Sequence, residues 1–201
     1  MEKKSRGRPR KFDESEVLNK ILNVFWQQGY AATSLDDISA ATNLNRPSLY
    51  SAFGDKKSIY QTALNRFTKQ FLKDLELALN SDDSLRHDLI SFYNAALLVY
   101  QPSKKINLGC PVLSNAITET YLNKVIRDDT SSALAKIDKL LEKRFVLAIE
   151  KNELGADKNP KLLSQITAAI LHSLAIRVRA QQNSFAYKKF IEDSIDELIG
   201  N

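Results

Sequence analysis

The start and stop signals packed into residues 33–57, TSLDDISAATNLNRPSLYSAFGDKK, leave room there only for two short helices and a tight connection. Ser34 is an N-cap with Asp37 at the third helical position, a capping-box pair. Ile38 and Ala41 follow at helical spacing, and Asn43 breaks the helix. Asn45 caps the next one, with Pro47 in its first turn, where the missing N–H is unpaired in any case. Leu49 and Phe53, four apart, give this second helix one buried edge, while Arg46, Ser48, Tyr50 and Ser51 fall on other faces. A helix with so little apolar surface is not there mainly to pack. Its arginine, hydroxyls and tyrosine suit phosphates and base edges. The pattern is a helix-turn-helix with a recognition helix from about Asn45 to Phe53.

Thr33-Ser34 and Ile38, followed by Leu44, Leu49-Tyr50 and Phe53-Gly54-Asp55-Lys56, resemble the DNA-binding signature of the TetR family of bacterial repressors. Ahead of them, Ile21, Phe25 and Gly29-Tyr30 match the family's first helix and its end. The resemblance implies an all-α fold, with an N-terminal three-helix helix-turn-helix DNA-binding domain and a C-terminal helical ligand-binding and dimerisation domain. It also implies a repressor that grips a palindromic double-stranded DNA operator as a homodimer and is released by a small-molecule inducer. Tyr50 and Lys56 fall at family positions used for backbone phosphates, and Ser34 at the start of the second helix, where the family also meets DNA. The residues add their own chemistry. Arg46 can bond guanine bidentately or hold a phosphate, and Pro47 and Ser48 can meet thymine methyls or base edges. Ser34 also has its cap to make, Tyr50 could equally pack, and Asp36 is ill placed beside a phosphate.

The formal net charge is +5, and Lys3, Lys4, Arg6, Arg8, Arg10 and Lys11 against Glu2 alone account for all of it. Residues 1–12 are therefore expected to be a basic arm, disordered when free, seeking nucleic acid or another anionic surface. Arg6-Gly7-Arg8-Pro9-Arg10-Lys11 resembles the AT-hook core, in which arginines enter a narrow A·T-rich minor groove. The alternative is a generic basic tail that touches phosphates without preference. No apolar segment follows the arm, so it does not read as a secretion signal. No apolar run approaches the ~18–20 residues that span a bilayer, so no membrane partner is expected. A single cysteine excludes an internal disulfide and fits a reducing cytoplasm.

Helical periodicity continues to the C-terminus. Val17, Ile21 and Phe25 beside Leu18, Leu22 and Trp26 form a broad apolar face ended by Gly29, closing a DNA-binding unit over residues 13–60. A helix over 55–79 carries Ile59, Ala63, Phe67, Phe71 and Leu75 in register; at about 37 Å it bridges that unit to a body over residues 61–201. Further helices are expected at 85–100, from Val112 to Tyr121, at 129–152, at 160–182 and at 184–199. The last two are apolar over more than one face, and two copies paired through Ile166, Ile170, Leu174, Ile191, Ile195 and Leu198 would cover them. Burial within one chain is the alternative.

In the resembled family, effectors lie among the middle helices. Phe67, Phe71, Phe92, Tyr93, Tyr100, Asn115, Tyr121 and His172 would line a mostly apolar pocket with polar anchors. Each has ordinary core as its alternative. Cys110, between Gly109 and Pro111 at a helix opening, would have its thiol pKa lowered by the dipole and could sense electrophiles or oxidants; its alternative is a small buried hydrophobe. Catalysis finds no support. His87 and His172 lack metal-ligand neighbours, and no glycine-rich phosphate loop or nucleophile elbow is present, so no enzyme activity, metal or cofactor is expected. Two rival functions remain, an architectural binder of A·T-rich DNA and a helical enzyme or carrier with an incidental basic tail.

Overall fold

A computed structural model describes residues 12–81, 83–102, 106–114, 121, 123–182 and 185–200. Arg6, Arg8, Arg10 and Asn115 lie outside the described residues, as does most of the helix expected up to Tyr121. Helix α1 (Glu14–Gln28) begins where the Asp13 carboxylate accepts the Ser15 and Glu16 amides, and ends at Gly29, whose φ of 85° a side chain would resist. Helix α2 (Leu35–Thr42) opens on a complete Ser34–Asp37 capping box and stops at Asn43 in the left-handed region. Helix α3 (Arg46–Phe53) starts on the Asn45 cap, with Pro47 in its first turn. Helix α4 (Lys56–Leu79) is capped by Asp55 and runs unbroken out of the N-terminal head formed with α1, α2 and α3 into the body.

Helix α5 (Leu85–Tyr100) follows a Ser84 cap, and a helical turn occupies residues 111–114. Helix α6 (Lys124–Glu150) begins five residues ahead of the expected start, because the Asn123 side chain accepts the Val125 and Ile126 amides and so captures another turn. Helix α7 (Pro160–Arg179) starts on Asn159 and stops short of the expected end. Helix α8 (Tyr187–Ile199) has no side-chain cap. Its start is set by packing instead: the Phe185 ring meets Tyr187 and Phe190 edge-on, with the Arg177 guanidinium 4.4 Å from the Phe185 centroid.

Helices α1 and α3 pack on α4, and α2 packs on α1 and α3, with Ile21, Phe25, Ile38, Leu49 and Ile59 all fully buried. One hydrophobic cluster continues from there through Phe71, Phe92 and Phe145 to Ile195. In the body the principal partner of α7 is α6, and that of α8 is α5. This corrects the proposed pairing surface. Leu174, Ile191 and Ile195 are 0%, 2% and 0% exposed, so their apolar area is already spent inside one chain. Ile170 and Leu198 are half-buried, and Ile166, with Leu162 and Ile176, faces outward.

Two ion-pair systems lock the body. Arg86 holds Asp196 through two hydrogen bonds of 2.7 and 3.0 Å, tying α5 to α8. Arg144 is buried and donates to Asp88 at 2.7 Å and to Glu153 at 2.8 Å; Glu153 also accepts the Leu85 amide, and Asp88 the Ser81 hydroxyl. Burial alone would hold the Arg144 proton less firmly, but the two carboxylates reverse that and raise its pKa.

Candidate nucleic-acid interface and effector core

Local capping builds the exposed face of α3. The Asn45 side chain takes the Ser48 amide at 2.9 Å, fixing the first turn of α3. Leu49 and Phe53 are buried beneath it, while Arg46, Pro47, Tyr50 and Ser51 are exposed and Ser48 is intermediate. Tyr50 is 52% exposed, so it does not pack into the head. Lys56, on the first turn of α4, rests its ammonium 4.7 Å above the Tyr30 ring and donates to the Ala31 carbonyl at 3.3 Å. Tyr30 in turn stacks on Phe25 and meets Tyr60 edge-on, so the lysine stands on a rigid aromatic base.

Sequence reasoning missed one partnership. Arg46 donates Nε–H to Asp36 at 2.7 Å and makes a second, charge-assisted bond to the same carboxylate through Nη2. That fork joins the start of α2 to the start of α3 and holds the Asp36 carboxyl below the usual carboxylate range while raising the arginine. Other N–H groups of the guanidinium remain for a phosphate or base edge. Ser34 is committed to its cap: its hydroxyl and amide both meet the Asp37 carboxylate, which this bonding keeps below its ordinary pKa.

In the body, the predicted pocket residues divide. Phe71, Tyr100, Cys110 and His172 line a common cavity of about 10 Å³, with Thr68, Leu72, Val112, Leu113, Ala133, Leu134 and Ile137 completing the wall. Phe67 stands one layer outside, stacked 5.5 Å from Phe71. Phe92 and Tyr93 are not pocket residues: both are fully buried, and the Tyr93 hydroxyl is spent on the Thr167 carbonyl at 3.0 Å. Tyr121 is 92% exposed and lines nothing there. The wall residues that sequence reasoning missed are ordinary aliphatics, which no spacing distinguishes from core.

Cys110 corrects another expectation. Burial pushes its thiol up, and the amides of Leu113 and Val112 at the helical turn and the Tyr100 hydroxyl pull it down by less. The helix-end effect exists, but desolvation of the thiolate outweighs it. His172 Nε2 is shielded from solvent with no partner among the described residues, and burial lowers the imidazole's pKa. Among the described residues, no three His, Cys, Asp or Glu side chains gather to hold a metal, and no helix is long and apolar enough to cross a membrane.

One junction links cavity and head. Trp26 of α1 donates Nε1–H to the Leu108 carbonyl at 3.1 Å. Arg179, at the end of α7, donates Nη1–H to that carbonyl at 3.0 Å, to the Trp26 carbonyl at 3.2 Å and to Ser114 at 3.4 Å. The Trp26 carbonyl is among the last four of α1, which have no partner within the helix, so a cation from α7 completes the end of α1. The next residue, Gly109, has φ of 68°, and a Cβ there would lie 2.5 Å from the Ala175 carbonyl oxygen. The wall around Cys110 is thereby fastened to α1 and α7 together.

Comparison with known proteins finds two matching families. Residues 17–63 match the family of bacterial regulatory proteins described as tetR, and residues 87–193 match the tetracyclin repressor-like C-terminal domain. The HTH-type transcriptional repressor ComR of Escherichia coli (strain K12) is 29% identical over 177 residues, covering 88% of this chain and 84% of ComR. A cysteine mutant of the TetR family regulator CifR, solved in complex with 26-base-pair operator DNA, superposes with a TM-score of 0.82 at 25% identity, covering 96% of this chain and 98% of CifR. Reduced NemR of E. coli superposes with a TM-score of 0.81 at 16% identity, over 92% of this chain and 95% of NemR, a likeness of fold.

Proposed function

This chain belongs to the TetR family of bacterial transcriptional regulators, and from that premise we propose a repressor that reads a palindromic operator as a dimer and lets go when a small molecule enters its body. The observation that carries the reading is α3. Its two large aliphatic and aromatic core side chains, Leu49 and Phe53, are buried in the head, and Arg46, Pro47 and Tyr50 face solvent on a helix held rigid by its caps. Residues 13–60 form the reading head, and residues 61–201 the sensing and pairing body.

Arg46 reaches a base edge or phosphate, with Asp36 as a buttress that fixes its direction. Pro47 and Ser48 meet bases, Tyr50 and Lys56 hold backbone phosphates, and Ser34 brings the amide end of α2 to the same strand. Arg6, Arg8 and Arg10 add contacts in the flanking minor groove. Two heads reach half-sites about 34 Å apart when the bodies pair. The pairing surface is the outer face of α7, with Leu162, Ile166 and Ile176 at its centre and Ile170 and Leu198 at its margin.

The effector enters the cavity bounded by Phe71, Tyr100, Cys110 and His172. At about 10 Å³ that cavity holds no more than one water, so any larger ligand must part its walls, α4 among them. The head is rooted on α4 and at the Trp26–Leu108–Arg179 junction, and it moves with them. To move the heads nearly completely, the ligand must favour the released arrangement by about 5.5 kcal/mol. The protein works as a regulator in the cytoplasm and not as an enzyme.

Selection of bound fragments from genomic DNA tests this. A palindromic site retained against excess mixed DNA, and lost in Arg46→Ala, is the expected result. A protein that stays monomeric at micromolar concentration and ignores duplexes in dilute buffer would overturn it.

A further inference from the structure

A second cavity lies against the first. It is a groove of about 1170 Å³, bordered by Asn19 of α1, residues of α4 from Asn65 to Glu76, and Lys136 of α6. Thr68 and Leu72 line both spaces, so they form the partition between an open groove and a closed apolar chamber. Arg66, Lys69 and Lys73 follow one another along a face of α4, with Lys136 opposite and Glu76 as the one acid in the lining. Cations three and four apart on one helix repel each other. Elsewhere this protein avoids the problem: Lys20, Lys124, Lys188 and Lys189 each pair with an acid four residues away. Among the described residues, none of the four groove cations is in an ion pair. Arg66, Lys69 and Lys73 also stand about 15–26 Å along α4 from Lys56, at 1.5 Å per residue, well away from α3.

We propose that the effector is a small amphipathic anion, a carboxylate or phosphate ester whose head group sits among Arg66, Lys69, Lys73 and Lys136 while its apolar tail passes Leu72 into the chamber beside Phe71. This rests on the effector-released regulator proposed above and names the chemistry of the ligand. The anion relieves the repulsion along α4, and the tail enters by parting the Thr68–Leu72 partition. A neutral molecule of the same shape gains only the tail.

Trp26, the single tryptophan, supplies the readout, because its ring lies 6.0 Å from Phe67 on the groove wall. The full-length protein is titrated with octanoate, octyl phosphate, octanol and octylammonium below their micellar concentrations. Tryptophan emission and release of the selected operator are followed together. Saturable binding of either anion, at least tenfold tighter than octanol, with octylammonium weaker still, is the expected result. Lys69→Glu combined with Lys73→Glu, both exposed and outside the head, should erase that tenfold preference while leaving operator affinity in the absence of ligand intact. Octanol binding as tightly as octanoate, an unchanged preference in the charge-reversed variant, or no binding by any of the four overturns the inference. Operator binding that persists in those cases leaves the regulator standing, whereas a protein with no operator at all removes the premise.

Discussion

The Leu108 carbonyl accepts from two donors 153 residues apart in sequence, Trp26 Nε1–H and Arg179 Nη1–H, and that redundancy can be measured. Trp26→Phe removes one donor and trims a nearly buried ring, costing about 0.5–1.5 kcal/mol for the hydrogen bond and roughly 1 more for packing. Arg179→Met removes the other donor and also uncaps the Trp26 carbonyl, costing about 0.5–1.5 kcal/mol. After either change Leu108 keeps a partner; after both it has none among the described residues. An orphaned carbonyl costs about 1–3 kcal/mol, and the low end applies because Arg179 is exposed and water can follow it out. The double variant should therefore be less stable than the sum of the single changes by about 1 kcal/mol. With a urea m-value of about 2 kcal/mol/M, that is roughly 0.5 M in the midpoint. Circular dichroism is the assay, since Trp26→Phe removes the only tryptophan. Additivity within about 0.3–0.5 kcal/mol would refute a shared acceptor.

Arg144→Met leaves the fully buried Asp88 carboxylate, among the described residues, with Ser81 alone and should cost about 3–5 kcal/mol, much of it recovered when Asp88→Asn is added; equal urea midpoints for wild type and the single variant would refute this. Because burial raises the Cys110 thiol, a disulfide reagent at pH 8 should label it only as fast as the protein opens, and prompt stoichiometric labelling of folded protein would contradict that. For His172 burial lowers the pKa, so the unfolded chain takes up a proton that the folded chain refuses; its contribution to stability is full above the ordinary value of 6.5 and declines as pH falls through it. His172→Gln should flatten the fall in urea midpoint between pH 7 and pH 5, and an unchanged slope would count against it.

The head was legible in the sequence because what shapes it is local. Ser34 with Asp37, Asn45 with Ser48, and Gly29 and Asn43 at helix ends act within about one turn, so residue order alone specifies them. The apolar edge of Leu49 and Phe53 follows from the same short period, and with it the outward face of α3. The body obeyed the helical period too, yet period says only that a face is covered and not by what. Leu174, Ile191 and Ile195 have the period of a surface for a second copy, but α5 and α6 cover them within the chain. Desolvation likewise comes from residues distant in the chain, and for that reason the pKa of Cys110 moved opposite to what its neighbours at a helix opening suggested. Arg144 between Asp88 and Glu153, and Arg179 at the end of α1, are partners that only the assembled fold brings within 3 Å or so. Short-range hydrogen bonding settled which helices form, whereas exclusion of water by distant segments decided which of their faces, charges and thiols are free to act.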